Sequence, residues 1–187
     1  MMNCDSRRRA LVTASSKDLG FAIARRLAQD GAYVVICGRD QSALERAAAH
    51  LRTIPQCAHG IVADLGRRSE VDALFERAVR LMWTVDCLLN SGHMPYGTIE
   101  ALTDEDWHAS HEMRLCAQCS FHEPRPDLLK HQIVQGISYS LPGVHETAGH
   151  LLLSNVMRAG TAVVAEHPAR RAFGKWHALE FCRARLF

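Results

Sequence analysis

Apolar and polar residues follow two periods along this chain. Ala10-Leu11-Val12, Tyr33-Val34-Val35-Ile36-Cys37, Gly60 to Ala63 and Val85 to Leu89 are short apolar runs, and Gln132 to Ile137 is a fifth strand-like run. The second run in particular reads as a strand buried on both faces, as parallel sheets require. Helical spacing fills the intervals. Leu19 to Ala28 is amphipathic and closes at Gly31; Ser42 to Leu51 carries Leu44, Ala47, Ala48 and Leu51 on one stripe, with Pro55 barring continuation. Ser69 and Asp72 resemble a capping box ahead of a stripe of Val71, Leu74, Phe75, Ala78 and Leu81. Thr103 with Asp106 predicts another helix running to about Cys119, broken by Pro124 and Pro126, and Leu151 to Ala165 predicts one more.

Strands alternating with helices predict the α/β class, a doubly wound parallel sheet of about five strands, because parallel neighbours need crossovers and those crossovers are right-handed. The strand, turn and helix between Arg9 and Asp30 form the unit that aims backbone N–H groups and a helix N-terminus at a phosphate. Residues 1–165 are expected to form this domain. Residues 166–187 differ in character: Arg170, Arg171, Lys175, Arg183 and Arg185 crowd among alanines with weak periodicity.

Composition narrows the class. With 187 residues, 48% hydrophobic and 22% charged, the chain is long enough to bury one core, and a net charge of +2 gives no reason to expect nucleic acid as a partner. No stretch approaches the roughly 18 consecutive apolar residues of a membrane span. Arg7, Arg8 and Arg9 precede an apolar run that ends by Thr13, too short for a signal peptide, so a cytoplasmic location is expected. The seven cysteines are odd in number, and Cys37 and Cys87 lie in apolar runs, which suits reduced thiols better than disulfides.

Four motifs in order make the pattern specific: Thr13-Ala14-Ser15-Ser16-Lys17-Asp18-Leu19-Gly20, Asp64, Leu89-Asn90-Ser91-Gly92 and Ser154-Asn155-Val156-Met157-Arg158. Together they resemble the short-chain dehydrogenase/reductase family, and within it the oxoacyl-carrier-protein-reductase-like members. The likeness is strong from about Arg9 to Leu115, patchy to His150, clear again to Val164 and absent afterwards, where the family continues into two further strands. The resemblance implies a Rossmann-like fold that lacks those last two strands, leaving strand five as a bare edge.

The same resemblance implies a cofactor set of Thr13, Ser15, Ser16, Lys17, Leu19, Gly20, Arg39, Asp64, Leu65 and Asn90. Ala14 stands for the first family glycine, Asp18 for the second, and Gly20 keeps the third. An acid at the end of strand two would favour NAD; this chain has Gly38 and Arg39 there, and Lys17 in the first turn, so two cations converging on a 2′-phosphate favour NADP over NAD. For catalysis, none of Tyr33, Tyr96 and Tyr139 has a lysine four residues on. Ser154 falls in the family tyrosine place and Arg158 in the lysine place, one helical turn apart, with Ser140 as the upstream serine and Ser138 as its alternative. Arg114 stands where the family places a helix asparagine.

The expected activity is NADP-dependent oxidoreduction of a small carbonyl/alcohol pair, the alternative being a catalytically silent nucleotide-binding or interaction protein. His111, Cys116, Cys119 and His122 have a spacing compatible with zinc, but with a single Cys pair on a helix that in the family packs against a partner subunit, no metal site is assigned. The basic tail carries no recognition motif. Pairing into a homo-oligomer is left open.

Overall fold

The computed structural model describes residues 8–54, 58–92, 94–117, 135–138 and 150–166, with the backbone alone at 135–138, 158 and 161–166. Its elements run β1 (Arg9–Thr13), α1 (Asp18–Gln29), β2 (Tyr33–Gly38), α2 (Gln41–Arg52), β3 (Ala58–Val62), α3 (Arg68–Met82), β4 (Cys87–Asn90), α4 (Asp104–His111), a π-helical turn (Glu112–Cys116), β5 (Gln135–Ser138) and α5 (Leu152–Glu166). The strands form one sheet in the order β3-β2-β1-β4-β5, and each neighbouring pair is parallel.

Period-two alternation distributes the strand side chains over both faces. Leu11, Val35, Cys37 and Leu88 point into a layer with Val71, Leu74, Phe75, Ala78 and Met82 of α3. Val12, Val34, Ile36 and Leu89 point the other way, against Ala24 and Ala28 of α1 and Leu44, Ala47, Ala48 and Leu51 of α2. The expected three-layer α/β architecture is therefore the one observed. At roughly 25 cal/mol per Å² of apolar surface removed from water, these two layers are the main source of stability. A third, smaller cluster of Met94, Leu153 and Met157, with Leu102, Trp107, Met113 and Leu115, joins α4 and the π turn to α5.

The element starts test the capping signals. At α4 both arms of the expected box are present: Thr103 Oγ1 accepts from Asp106 N at 3.2 Å, and the Thr103 N–H donates to the Asp106 carboxylate at 3.1 Å. Ser69 does not play that role. Helix α3 starts at Arg68 with Arg67 as its cap residue, because a turn from Asp64 O to Arg67 N (3.1 Å) begins the coil early, and the Asp72 carboxylate pairs with Arg68 Nε at 3.1 Å. The helix expected to run unbroken from Thr103 to about Cys119 changes hydrogen bonding at Glu112, where the Ala117 N–H reaches back five residues to Glu112 O. Cys119 and the breakers Pro124 and Pro126 lie outside the described residues, as does the tail beyond Glu166. Among the described residues β3 and β5 are the sheet edges, and no helix is long and apolar enough to cross a membrane.

Candidate functional site

Strand order creates the site. The chain leaves β1 through α1 on one face of the sheet and reaches β4 from α3 on the other, so the loops after β1 and β4 part and leave a crevice at the carboxyl ends of the strands, where ligands of such sheets bind. The crevice measures about 740 Å³ and is lined by the turn after β1 (Ala14, Ser16, Lys17, Asp18, Leu19, Gly20), the ends of β2 and β3 (Cys37, Gly38, Arg39, Ala63, Asp64, Leu65), and Ser91, Gly92, Met94, Tyr96, Met113, His150, Leu151 and Ser154.

The turn after β1 is held by its small polar residues. Ser15 is fully buried and stitches β1 to β2: its N–H donates to Cys37 O at 2.9 Å, and its hydroxyl donates to Val12 O and accepts from Cys37 N at 3.3 Å. Ala14 and Asp18 have φ of 49° and 53°, so the turn keeps left-handed backbone at the two places where the resemblance expects glycine. Gly20 is required by packing, since a Cβ there would overlap Ser91 Oγ and lie 2.7 Å from Ala14 O. Lys17 caps α1 without a side-chain bond to the helix N-terminus, whose first residues, Asp18, Leu19 and Gly20, line the crevice. Its ammonium lies 3.9 Å from the Asp18 carboxylate, both side chains 81% exposed.

Thr13 and Asn90 sit opposite each other on β1 and β4 and are joined behind the crevice wall, Thr13 Oγ1 donating to Asn90 Oδ1 at 3.0 Å. Neither lines the cavity, and nor does Ser15; the structure places these three as the frame, while Ser16, Lys17, Leu19, Gly20, Arg39, Asp64, Leu65 and Ser154 face the opening. Asp64 accepts from Gly66 N at 3.0 Å, and its own N–H donates to Glu70 at 2.8 Å, so the loop after β3 is fixed by carboxylates at both ends. Arg39 is exposed beside Asp40, which caps α2 by accepting from Ala43 N at 3.0 Å; that bond, with the Ser42 hydroxyl, lowers the Asp40 pKa below the usual carboxylate value.

Ser154 is buried in the first turn of α5 and lines the crevice; Arg158 follows one turn later on the same helix. Ser140 lies outside the described residues, while Ser138 ends β5 opposite Asn90. Burial pushes the Cys37 thiol up to about 12 against a weaker opposing bond from Ala14, making it an inert wall residue. Among the described residues, Cys37, Cys87 and Cys116 form no disulfide.

Ser91, Arg114 and Met113 are among the contributors absent from the candidate site residues read in the sequence. Ser91 donates to Thr13 O at 2.6 Å and locks the β4 loop onto the β1 turn; its place in the Leu89-to-Gly92 motif was the available signal. Arg114, only 2% exposed, donates from Nη1 to Asn90 O at 2.9 Å and Gly92 O at 3.4 Å, so an ionic side chain holds up the loop after β4 from beneath. Its alignment with the family's helix asparagine was the available signal; its burial falls within the π turn, which periodicity does not show. Met113, from the same turn, lines the crevice and contacts Gly92.

Comparison with known proteins agrees with this architecture. The sequence pattern of the family described as short chain dehydrogenase matches residues 8–122. The human dehydrogenase/reductase SDR family member 4 is 40% identical over 100 residues, covering 52% of this chain and 36% of that protein. The human dehydrogenase/reductase SDR family member 2, mitochondrial, is 43% identical over 82 residues, covering 44% of this chain and 29% of that protein. The chain thus matches about a third of the length of these relatives. In three dimensions it is similar to L-sorbose reductase from Gluconobacter frateurii, solved with NADPH and L-sorbose (TM-score 0.78, 22% identity, 89% of this chain and 65% of that one). It is similar also to 3-oxoacyl (acyl-carrier-protein) reductase from Agrobacterium tumefaciens C58, solved with NADP (TM-score 0.77, 23% identity, 88% and 64%). With the family pattern spanning more than half of its residues on a matching parallel sheet, the chain belongs to the short-chain dehydrogenase family.

Proposed function

We propose that this chain is an NADP(H)-dependent oxidoreductase acting on a small carbonyl/alcohol pair, of the oxoacyl-carrier-protein-reductase-like kind. The observation that carries the reading is the meeting of Lys17, Arg39, Asp64 and Ser154 on one crevice at the carboxyl ends of the strands. The residues present fit a dinucleotide. Arg39 and Lys17 supply two permanent cations for a 2′-phosphate, Asp64 and Leu65 form the wall for the adenine end, and the N-terminus of α1, without a side-chain cap, offers N–H donors to the pyrophosphate. Asp18 opposes this fit, since its carboxylate stands in the phosphate turn; Lys17 beside it offsets part of that repulsion.

When bound, the dinucleotide supplies or accepts the hydride. Ser154 then orients the reacting carbonyl by donating its hydroxyl hydrogen to the oxygen. An aliphatic hydroxyl is too weak an acid to serve as proton source at neutral pH, so the proton that completes the alcohol comes from water. Arg158, one helical turn on, stays protonated throughout, so its role in this reading is that of a positive charge and not of a proton relay. Gly92, held by Arg114, and Met113 form the wall on the substrate side.

Consumption of NADPH in the presence of small ketones and 3-oxoacyl thioesters tests this reading. Turnover that falls by about a hundredfold in Ser154→Ala, with NADPH binding retained, supports it. The second reading, a nucleotide-binding protein without turnover, is favoured by the exposed Asp18 carboxylate and by Ser154 in the tyrosine place. Saturable NADPH binding with no consumption would select it.

A further inference from the structure

We propose that His111, Glu112 and Cys116 bind a divalent ion of the zinc class, with water completing a four-coordinate shell. In a regular α-helix, residues five apart point about 140° away from each other. The π turn removes that divergence, since its i→i+5 hydrogen bond from Ala117 N to Glu112 O widens the coil by one residue and brings the residues at 111 and 116 onto one face. His111 Nδ1 and Cys116 Sγ lie 3.5 Å apart. Zinc–sulfur and zinc–nitrogen bonds of about 2.3 and 2.0 Å meeting at a tetrahedral angle set their donors about 3.5 Å apart, so the pair is spaced for a shared ion. A carboxylate oxygen of Glu112 completes a triad whose ligand atoms all fall within 4.8 Å of one another. Thiolate, imidazole and carboxylate together select a borderline-soft ion over calcium or magnesium. The histidine and glutamate are exposed and the cysteine is half-buried, so an ion can enter from solvent. Cys119 and His122 lie outside the described residues and are no part of this triad.

Such an ion would do structural work. The turn it clasps presents Met113 to the crevice and Arg114 to the carbonyls of Asn90 and Gly92, so metal binding fixes the loop that walls the site. The role is independent of hydride chemistry, because none of the three ligands lines the crevice. Titrating the chelator-treated full chain with cobalt(II) and following sulfur-to-metal charge transfer tests it directly. The expected result is a thiolate band saturating at a single equivalent, with a higher melting temperature in zinc. The band vanishes in Cys116→Ser and loses its tetrahedral d–d intensity in His111→Ala, while Glu112→Gln binds about tenfold more weakly. A wild-type chain with no thiolate band overturns the proposal without reference to any variant. So does a thiolate band that persists unchanged in Cys116→Ser, which would place the ion on another cysteine, or a d–d pattern unchanged in His111→Ala, which would exclude the histidine as a ligand.

Discussion

Ala14 and Asp18 carry positive φ on side chains that resist it, and they do so in the turn after β1 that lines the crevice. Left-handed backbone costs an L-residue about 1 kcal/mol or more, so Ala14→Gly is expected to raise stability by about 1 kcal/mol, read as a higher denaturation midpoint. Asp18→Gly removes the same kind of strain and also the carboxylate. It should tighten NADPH by about tenfold, and an unchanged or weaker affinity would show that Asp18 is not the obstacle. Arg114 is the residue whose loss costs most: Arg114→Ala deletes a buried guanidinium and leaves the Asn90 and Gly92 carbonyls without its bonds, for about 3 kcal/mol measured by urea unfolding. Two groups give stability a pH dependence. Cys37 is raised from 9.0 to about 12 by burial, so its contribution is complete below 9.0 and is lost as pH climbs from there towards 12. His59, stacked on Tyr33, is lowered from 6.5 by desolvation and then by Arg52, so its contribution is complete above 6.5 and declines as pH falls through the lowered value. Unfolding at a series of pH values should show both slopes, the acid one flattened in His59→Gln. That Lys17, Gly20 and Arg39 line the crevice was legible from the sequence because they stand just past the carboxyl ends of β1 and β2. Arg114 was not, since its burial depends on a helix irregularity that periodicity does not encode.

Elements were legible where one period ran cleanly from end to end. Tyr33 to Cys37 and the stripe of Leu44, Ala47, Ala48 and Leu51 fall where the alternation puts them, because both faces of the sheet are covered and nothing competes. Ends were less legible: Ser69 has the right spacing for a box but the wrong neighbours, since the turn at Asp64–Arg67 starts α3 first and Arg68 takes up Asp72. Thr103 has no such competitor, and Thr103→Ala should destabilise the protein by about 1 kcal/mol by removing the cap of α4. Helix α3 ends on Trp83, whose φ of 68° and 81% exposure give it the strain of a left-handed cap without the burial to offset it. Trp83→Gly should raise the melting temperature, the opposite of the usual effect of removing a tryptophan. The π turn escaped prediction because one extra residue in a helix leaves the hydrophobic pattern of a polar segment unchanged; only contacts such as Leu115 against Gly160 fix it.

At the scale of the whole molecule, the class of fold followed from the alternation of periods, whereas the strand order β3-β2-β1-β4-β5 had to be observed, since right-handed crossovers allow more than one order. That order explains why residues from four segments of the chain meet. Lys17, Arg39, Asp64 and Ser154 are far apart in sequence, and it is the parting of the loops after β1 and β4 that gathers them around one cavity. Met94, Tyr96, His150 and Leu151 join the same wall through a bridge between Gly97 and Leu151, a pairing no local pattern signals. The crevice accordingly offers the proposed dinucleotide two cations and one adverse charge. The most direct measurement is a titration of the full chain with NADPH, following nicotinamide fluorescence, alongside NADH and the Arg39→Ala variant. Saturable binding that favours NADPH over NADH, and that weakens by about tenfold in Arg39→Ala while NADH is unaffected, is the predicted result. A folded chain that binds neither nucleotide would contradict it.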